Sequence, residues 1–228
     1  REYLEMEDST NRGKGKPVPE GECEIEFRNV TYTYGGAEKP TLDNLSFTLH
    51  KGEKLALVGL NGAGKTTIVK LMCGLYDPTE GEILLNGVNV SEYNRDEYFG
   101  LFSAVFQDIS LLAVSVEENI TGQIEDKCDR EKLIDCMKKS GIYDKAMTLP
   151  EQEKTLLVRS VYQNSVDLSG GEKQKLALAK ALYKGAPILL LDEPTAALDA
   201  VAEQQMYMNY LEFSKARSSV FISHRLAS

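Results

Sequence analysis

The segment from Gly59 to Thr66, GLNGAGKT, constrains this chain more than any other, because it fits the pattern G-x-x-x-x-G-K-[ST]. Its glycines let successive backbone N–H groups turn toward one point, where they can hold phosphate oxygens. Lys65 adds a positive charge for the terminal phosphates, and Thr66 offers a hydroxyl to Mg²⁺. The flanks agree, since 54–58 is typical of a buried strand and 68–72 of a helix. A Gly-rich turn that matches by chance is the alternative, but the sequence favours a phosphate site at the start of a helix.

Bulk composition narrows the class of protein. The chain has 228 residues, a formal charge of −9 and a pI of about 4.9, which argues against nucleic acid as a partner. The four cysteines (Cys23, Cys73, Cys128 and Cys136) have no metal-binding spacing, so we expect reduced thiols. No apolar run reaches the length of a membrane span and no signal peptide opens the chain, so the domain itself is expected to be soluble.

The N-terminal part predicts a linker followed by an antiparallel sheet. Residues 1–21 are polar, with glycines and prolines among charges, as in a linker that arrives from an upstream domain. The alternation of apolar residues changes parity near Arg28 and Asn29, which predicts a bulge. Asn86-Gly87 between two apolar runs predicts a hairpin.

The C-terminal part predicts helices and buried strands. Residues 115–148 carry many helix formers, and 201–215 is predicted to be helical. The continuous apolar run 188–191 is typical of a parallel strand that is buried on both faces. Residues 219–223 predict a further short strand.

Two carboxylates follow the apolar run 188–191. Ligands of open α/β sheets bind at the carboxyl ends of the strands, where Asp192 and Glu193 lie. We expect Asp192 to hold the Mg²⁺ shell and Glu193 to polarise the water that attacks the γ-phosphate. An ordinary acidic turn is the alternative, and the phosphate loop argues against it.

The third motif is Leu168-Ser-Gly-Gly-Glu172, which precedes a helical run. Ser169 and Glu172 stand three residues apart, as in a capping box in which each side chain bonds the other's backbone N–H. Gly170 and Gly171 leave N–H groups uncovered at a positive helix end, so the same segment also predicts an anion site.

Together these motifs resemble the ATP-binding-cassette (ABC) ATPases, with GLNGAGKTT, LSGGE and ILLLDEPTAALD in the family's order. The resemblance covers roughly residues 22–228 and implies an α/β fold: a P-loop NTPase core with a mostly parallel sheet, an N-terminal antiparallel β-subdomain and a helical signature subdomain at about 112–172. It also places Gln107 at the Q-loop glutamine, His224 at the switch histidine and Asp199 in the D-loop. Tyr34 falls at the aromatic residue whose ring stacks on adenine, so its hydroxyl is expected to matter little.

The resemblance implies ATP and Mg²⁺ as ligands, with three groups of residues. The catalytic residues are Glu193, His224 and Gln107, and the metal site is formed by Thr66, Gln107 and Asp192. The nucleotide-binding residues are Tyr34, Gly59, Asn61, Gly62, Ala63, Gly64, Lys65, Thr66, Thr67, Ser169, Gly170 and Gly171.

The resemblance further implies a head-to-tail dimer, with ATP between the phosphate loop of one domain and the signature of the other. The segments 30–35 and 40–47 look like the start of exporter ATPase domains, in which a membrane domain precedes on the same polypeptide. The expected location is then the cytoplasmic face of a membrane, without nucleic acid as a partner. A separately encoded importer subunit and a soluble ABC ATPase stay open as alternatives. The family usually continues beyond His224, so we expect the chain to be cut there.

Where the family usually has glutamine at the end of the signature, this chain has Glu172. A carboxylate close to a γ-phosphate would be repelled, so we expect it to fold back into the capping box.

Overall fold

The computed structural model describes residues 15–21, 23–60, 62–106, 108–123, 128–192, 208, 210, 213–215 and 217–223. It divides into two compact units. The first consists of two segments, the chain up to Phe102 and the chain from Ile222 onward, and the second runs from Ser103 to Phe221. Asn61, Gln107, Glu193, Asp199, His224 and most of the predicted helix 201–215 lie outside the described residues.

The first unit contains an antiparallel sheet and the helix that follows the phosphate loop. Its elements are β1 (Ile25–Tyr32), β2 (Leu42–Leu49), β3 (Lys54–Val58), α1 (Lys65–Met72), β4 (Glu80–Leu85), β5 (Val88–Asn89) and α2 (Arg95–Gly100). The antiparallel strands follow the order β2-β1-β4-β5.

Strand β1 is the centre of this sheet. Ile25, Phe27 and Val30 are buried, and the register against β2 shifts between Phe27 and Val30. Asn29 at this shift has a φ of 49°. The predicted bulge near Arg28 and Asn29 is therefore confirmed, and it brings apolar residues of both parities to the core.

The predicted hairpin at Asn86-Gly87 is also confirmed. Leu85 pairs with Val88, which leaves the two residues between them as the loop. Asn86 and Gly87 have φ values of 50° and 80°, and positive φ at both central positions is what a two-residue type I′ turn requires.

The prediction of a buried strand at 54–58 is right about the strand and wrong about its burial. Strand β3 forms, but Lys54 and Ala56 are exposed and Val58 is 47% exposed.

The second unit is built from helices and three neighbouring strands. Its elements are β6 (Phe102–Val105), α3 (Val116–Thr121), α4 (Arg130–Ser140), α5 (Tyr143–Met147), α6 (Gly170–Lys184), β7 (Ile188–Asp192) and β8 (Ser218–Ser223), and the division between the units falls within β6 and β8. The strand order is β8-β7-β6. Every residue of β7 is buried, which confirms the strand predicted for 188–191, and β8 confirms the one predicted for 219–223.

Helix α6 has two apolar faces, which join the layers of this unit. Leu176 packs in a cluster with Val116, Ile120, Leu133 and Met137 from α3 and α4. Leu178 and Leu182 pack in a second cluster with buried side chains of β7. The helix-rich character predicted for 115–148 is confirmed, and the chain has the mixed α/β class, with a parallel and an antiparallel sheet.

Within the described residues, no helix is both long and apolar enough to cross a membrane.

Candidate functional site

The phosphate loop turns into α1 through glycines that no other residue could replace without strain. Gly62 and Gly64 have φ values of 78° and 81°, in the left-handed region that favours glycine. A Cβ on Gly64 would also come within 2.7 Å of Leu42 Cδ2. A Cβ on Gly62 would meet no atom within 4 Å, so this glycine faces open space.

Lys65 is the first residue of α1 and is only 7% exposed. Its ammonium group donates to the carbonyl oxygens of Gly59 and Leu60, each at 2.9 Å. The positive charge is therefore held over the loop itself, beside the glycines whose conformation the motif requires.

The N terminus of α1 has no side-chain cap, and no acidic residue lies in its first turn. The N-terminal side chains of α2, α3, α4 and α6 all cap their own helices. Since, within the described residues, this end of α1 has neither a side-chain cap nor an acidic residue in its first turn, its positive dipole and Lys65 are suited to an external anion.

The other end of α1 is fixed by two side chains of α2 that sequence reasoning missed. Tyr98 donates its hydroxyl to the carbonyl oxygen of Met72 at 2.7 Å, and Arg95 donates to that of Gly74. Burial raises the pKa of Tyr98 well above its ordinary value, which keeps this donor protonated. Both side chains satisfy carbonyl groups where the helix ends, and so hold the element that carries the phosphate loop.

Tyr34 lies beside the same helix. Its hydroxyl is 3.0 Å from Oγ1 of Thr67, a residue of α1 that is only 4% exposed. The ring of Tyr34 stands edge to face against the rings of Tyr32 and Tyr76 and stays 37% exposed. The adenine-stacking role of this ring stays a prediction.

Asp192 is the last residue of β7 in the second unit and is 2% exposed. The carboxylate of Asp192 therefore lies at the carboxyl end of a fully buried strand, as the sequence predicted. Its role toward Mg²⁺ stays a prediction.

The signature segment forms the predicted capping box at the start of α6. The backbone N–H of Ser169 donates to Oε2 of Glu172 at 2.8 Å, and the N–H of Glu172 donates to Oγ of Ser169 at 3.4 Å. Lys145 adds an ion pair to Oε1 of Glu172 at 3.0 Å. The expectation that Glu172 folds back is confirmed, and Lys145 is a partner that the sequence did not reveal.

The electrostatics of Glu172 follow from these contacts. Burial alone would raise its pKa, but the hydrogen bonds from Ser169 and the ion pair with Lys145 outweigh burial, so the pKa lies below its ordinary value. The carboxylate is thus held in its charged form by Ser169 of its own helix start and by Lys145 of α5.

A second capping box, at the start of α3, was missed. Ser115 and Glu118 bond each other's backbone N–H groups at 2.8 and 3.1 Å. The S-x-x-E spacing before a helical run was the signal that could have found it.

Comparisons with known proteins agree with this geometry. The family model described as ABC transporter matches residues 42–196. The chain is 36% identical to the subtilin transport ATP-binding protein SpaT of Bacillus subtilis, over 100% of this chain and 37% of that protein. It is 39% identical to an ATP-dependent lipid A-core flippase of Burkholderia orbicola, over 95% of this chain and 36% of that protein.

A similar solved structure is that of a bacterial Atm1-family ABC exporter with ATP bound. It matches with a TM-score of 0.87 at 30% identity, over 99% of this chain and 39% of that chain. The chain thus spans a little more than a third of the length of these relatives. With the phosphate loop and the signature in place, and with more than half of its length matched, the chain belongs to the ABC transporter family.

Proposed function

We propose that this chain binds ATP with Mg²⁺ and hydrolyses it to power the export of a substrate across a membrane. The observation that carries the proposal is the start of α1, where glycines in the left-handed region, buried Lys65 and the lack of a side-chain cap meet. Such a helix start suits a chain of phosphates.

Binding requires Lys65 to change partners. Its ammonium group now donates to two carbonyl oxygens of the loop, which are neutral acceptors. Phosphate oxygens carry charge and form the stronger hydrogen bonds, so Lys65 exchanges the carbonyl groups for the β- and γ-phosphates of ATP.

Thr66, Asp192 and Gln107 would hold Mg²⁺, because hydroxyl, carboxylate and amide oxygens are the ligands that this hard cation takes. Of the two that the structure describes, Thr66 lies in the first turn of α1 and Asp192 at the carboxyl end of β7. When bound, the cation neutralises the charge that develops on the phosphates.

Hydrolysis needs a group that accepts a proton from water and groups that place the water. On the family resemblance, Glu193 accepts the proton, while His224 and Gln107 orient the γ-phosphate and the attacking water. These roles rest on the position of the residues in the sequence. Glu193 directly follows Asp192, His224 directly follows β8, and Gln107 lies between β6 and α3.

We further propose an ATP-dependent dimer, in which Ser169, Gly170 and Gly171 of one copy face the nucleotide on the phosphate loop of the other. The partner in transport is a membrane domain, so the chain works at the cytoplasmic face of a membrane. The names of the relatives, a transport protein, a flippase and an exporter, support export over the importer and the soluble alternatives.

The test of hydrolysis is the variant Glu193→Gln. The amide can still hydrogen-bond water but is a far poorer base, so ATP binding should persist while turnover nearly disappears. Sedimentation should then show an ATP-stabilised dimer of the variant and a monomer without nucleotide. Turnover near the wild-type rate would reject the proposed role of Glu193.

The test of export uses the complete gene product. Hydrophobic spans encoded before Arg1, and ATP-dependent transport by the purified product in vesicles, are the expected results. An open reading frame that begins near β1 without such spans would favour the importer alternative.

A further inference from the structure

The aromatic group beside the phosphate loop is tied to α1 through its hydroxyl. The oxygen atoms of Tyr34 and Thr67 are 3.0 Å apart, a normal distance for two hydroxyl groups. Thr67 lies in the first turn of α1, two residues after Lys65, and is 4% exposed. One hydrogen bond therefore joins the loop that follows β1 to the helix start that receives phosphate.

Two further contacts restrict the ring of Tyr34. Tyr32 stands perpendicular to it at 5.0 Å between centroids, and Tyr76 does so at 5.8 Å. Tyr32 and Tyr76 are themselves stacked at 5.3 Å. The edge-to-face contacts limit the position of the Tyr34 ring. The hydrogen bond to Thr67 also fixes the direction in which its hydroxyl points.

The hydroxyl of Tyr34 is not needed to satisfy Thr67. A threonine within a helix can donate to a carbonyl group of the preceding turn, so loss of the tyrosine oxygen leaves Thr67 a local alternative. The hydrogen bond between Tyr34 and Thr67 is therefore not required for folding. Because it joins a partly exposed ring to the helix that is proposed to bind the nucleotide, it is suited to positioning that ring.

We propose that Tyr34 is a positioning residue whose hydroxyl, through Thr67, holds its ring where the base of a nucleoside triphosphate is received. This inference rests on the proposed function, since it assumes that α1 binds the triphosphate. The ring and the phosphate loop then form one preorganised site, and ATP binding does not have to order the ring. Ring stacking alone, as expected from sequence, would leave the hydroxyl without effect.

The experiment is a double-mutant cycle of Tyr34→Phe and Thr67→Val, read by calorimetric titration with MgATP. Restraint of one side chain corresponds to roughly a two- to tenfold change in affinity, so Tyr34→Phe should weaken ATP by about that factor. In the Thr67→Val background the same change should have no further effect, because the partner is already gone. Thr67→Ser should restore the coupling, since it keeps the hydroxyl.

Inorganic tripolyphosphate separates placement of the ring from damage to the phosphate loop. It lacks a base, so its affinity should be the same for Tyr34→Phe and for the wild type. The matched control is Tyr32→Phe, which removes a hydroxyl from the neighbouring ring and should leave the ATP affinity unchanged. Melting temperatures of the single variants are measured alongside, and those of Tyr34→Phe and the wild type should agree within about a degree.

Two outcomes would overturn the inference: wild-type ATP affinity in Tyr34→Phe, or equal losses for ATP and tripolyphosphate. Failure of the proposed function gives a different result, since Lys65→Ala would then bind ATP as well as the wild type. If Lys65→Ala loses affinity while Tyr34→Phe does not, phosphate binding stands and only the role of the hydroxyl is wrong.

Discussion

The starts of α1 and α6 have similar sequences and opposite local chemistry. Both carry glycines at the helix start, and both are predicted to bind anions. At α1 the described residues provide no side-chain cap, and the charged residue of the first turn is the cation Lys65. At α6 the hydroxyl of Ser169 and the carboxylate of Glu172 occupy the helix start, with Lys145 beside them.

The difference shows that a glycine-rich helix start is not by itself a phosphate site. The first turn of a helix has N–H groups without partners in the helix, and either the chain or a ligand satisfies them. In α6 the hydroxyl of Ser169 accepts from the N–H of Glu172, and the Glu172 carboxylate adds a negative charge. In α1, in the part of the chain that the structure describes, the first turn has no side-chain cap and carries the positive charge of Lys65, which suits it to the proposed ligand. The cap of α6 engages the N–H groups of Ser169 and Glu172 and leaves those of Gly170 and Gly171 for the proposed contact with a nucleotide on a partner copy.

The largest expected effect is that of Lys65→Ala. A hydrogen bond to a charged group is worth about 1.5–3 kcal/mol, so ATP should bind roughly ten- to a hundredfold more weakly. Titration calorimetry measures the loss, and Lys54→Ala, an exposed lysine of β3, is the matched control. Equal affinities for the two variants would contradict the role given to the start of α1.

Replacing one glycine at each helix start should have opposite effects on stability. Gly64→Ala forces an alanine to adopt a φ of 81° and brings its Cβ within 2.7 Å of Leu42 Cδ2. The free energy of unfolding should therefore fall by more than about 1–2 kcal/mol. Gly171→Ala lies within α6, where alanine is favoured over glycine by about 0.5–1 kcal/mol. Thermal melting should therefore show a fall for the first variant and a rise for the second. A fall of similar size in both would mean that the two segments have similar backbone constraints.

Loss of the cap should destabilise α6 by a smaller amount. Ser169→Ala removes an N-cap worth about 1 kcal/mol, which corresponds to a fall in melting temperature of about 2–4 °C for a chain of this size. Ser115→Ala, in the second capping box, is the matched comparison and should give a similar fall. An unchanged melting temperature for Ser169→Ala would show that the cap contributes nothing.

The smallest effect is expected from Glu172→Gln, and it depends on pH. The pKa of Glu172 is lowered in the folded chain, so its stabilisation is present above the ordinary pKa of 4.5 and is lost as the pH falls through the folded value. At neutral pH the amide should cost about 0.3–1 kcal/mol, as a charge at a helix N terminus does. The two melting curves should converge in acid.

The same variant also tests the direction of the carboxylate. Since Glu172 is directed to Ser169 and Lys145, the affinity of the ATP-dependent dimer should stay the same. A several-fold gain would mean that the charge faces the nucleotide and repels it.

Local sequence patterns predicted both helix starts, because their determinants lie within a few residues. G-x-x-x-x-G-K gives the loop and the start of α1, and S-x-x-E gives the cap of α6. The Asn86-Gly87 turn and the bulge near Asn29 are local in the same sense.

Contacts between distant parts of the chain were not predictable in this way. Tyr34 and Thr67 are separated by 33 positions, and nothing in either local pattern indicates the other. Lys145 reaches Glu172 from another helix. The exposure of Lys54, Ala56 and Val58 on β3 is likewise not revealed by the mainly apolar sequence of this strand.

We expect that, in a single copy of the chain, the start of α1 takes the nucleotide while the start of α6 is capped by its own side chains. Backbone amide chemical shifts, followed by NMR while MgATP is added to dilute Glu193→Gln, test this residue by residue. We expect early shifts for the amides of Gly62 to Thr66, and shifts for those of Gly170 to Glu172 only at protein concentrations at which the dimer forms. Early shifts at Gly170 to Glu172, with none at Gly62 to Thr66, would contradict it.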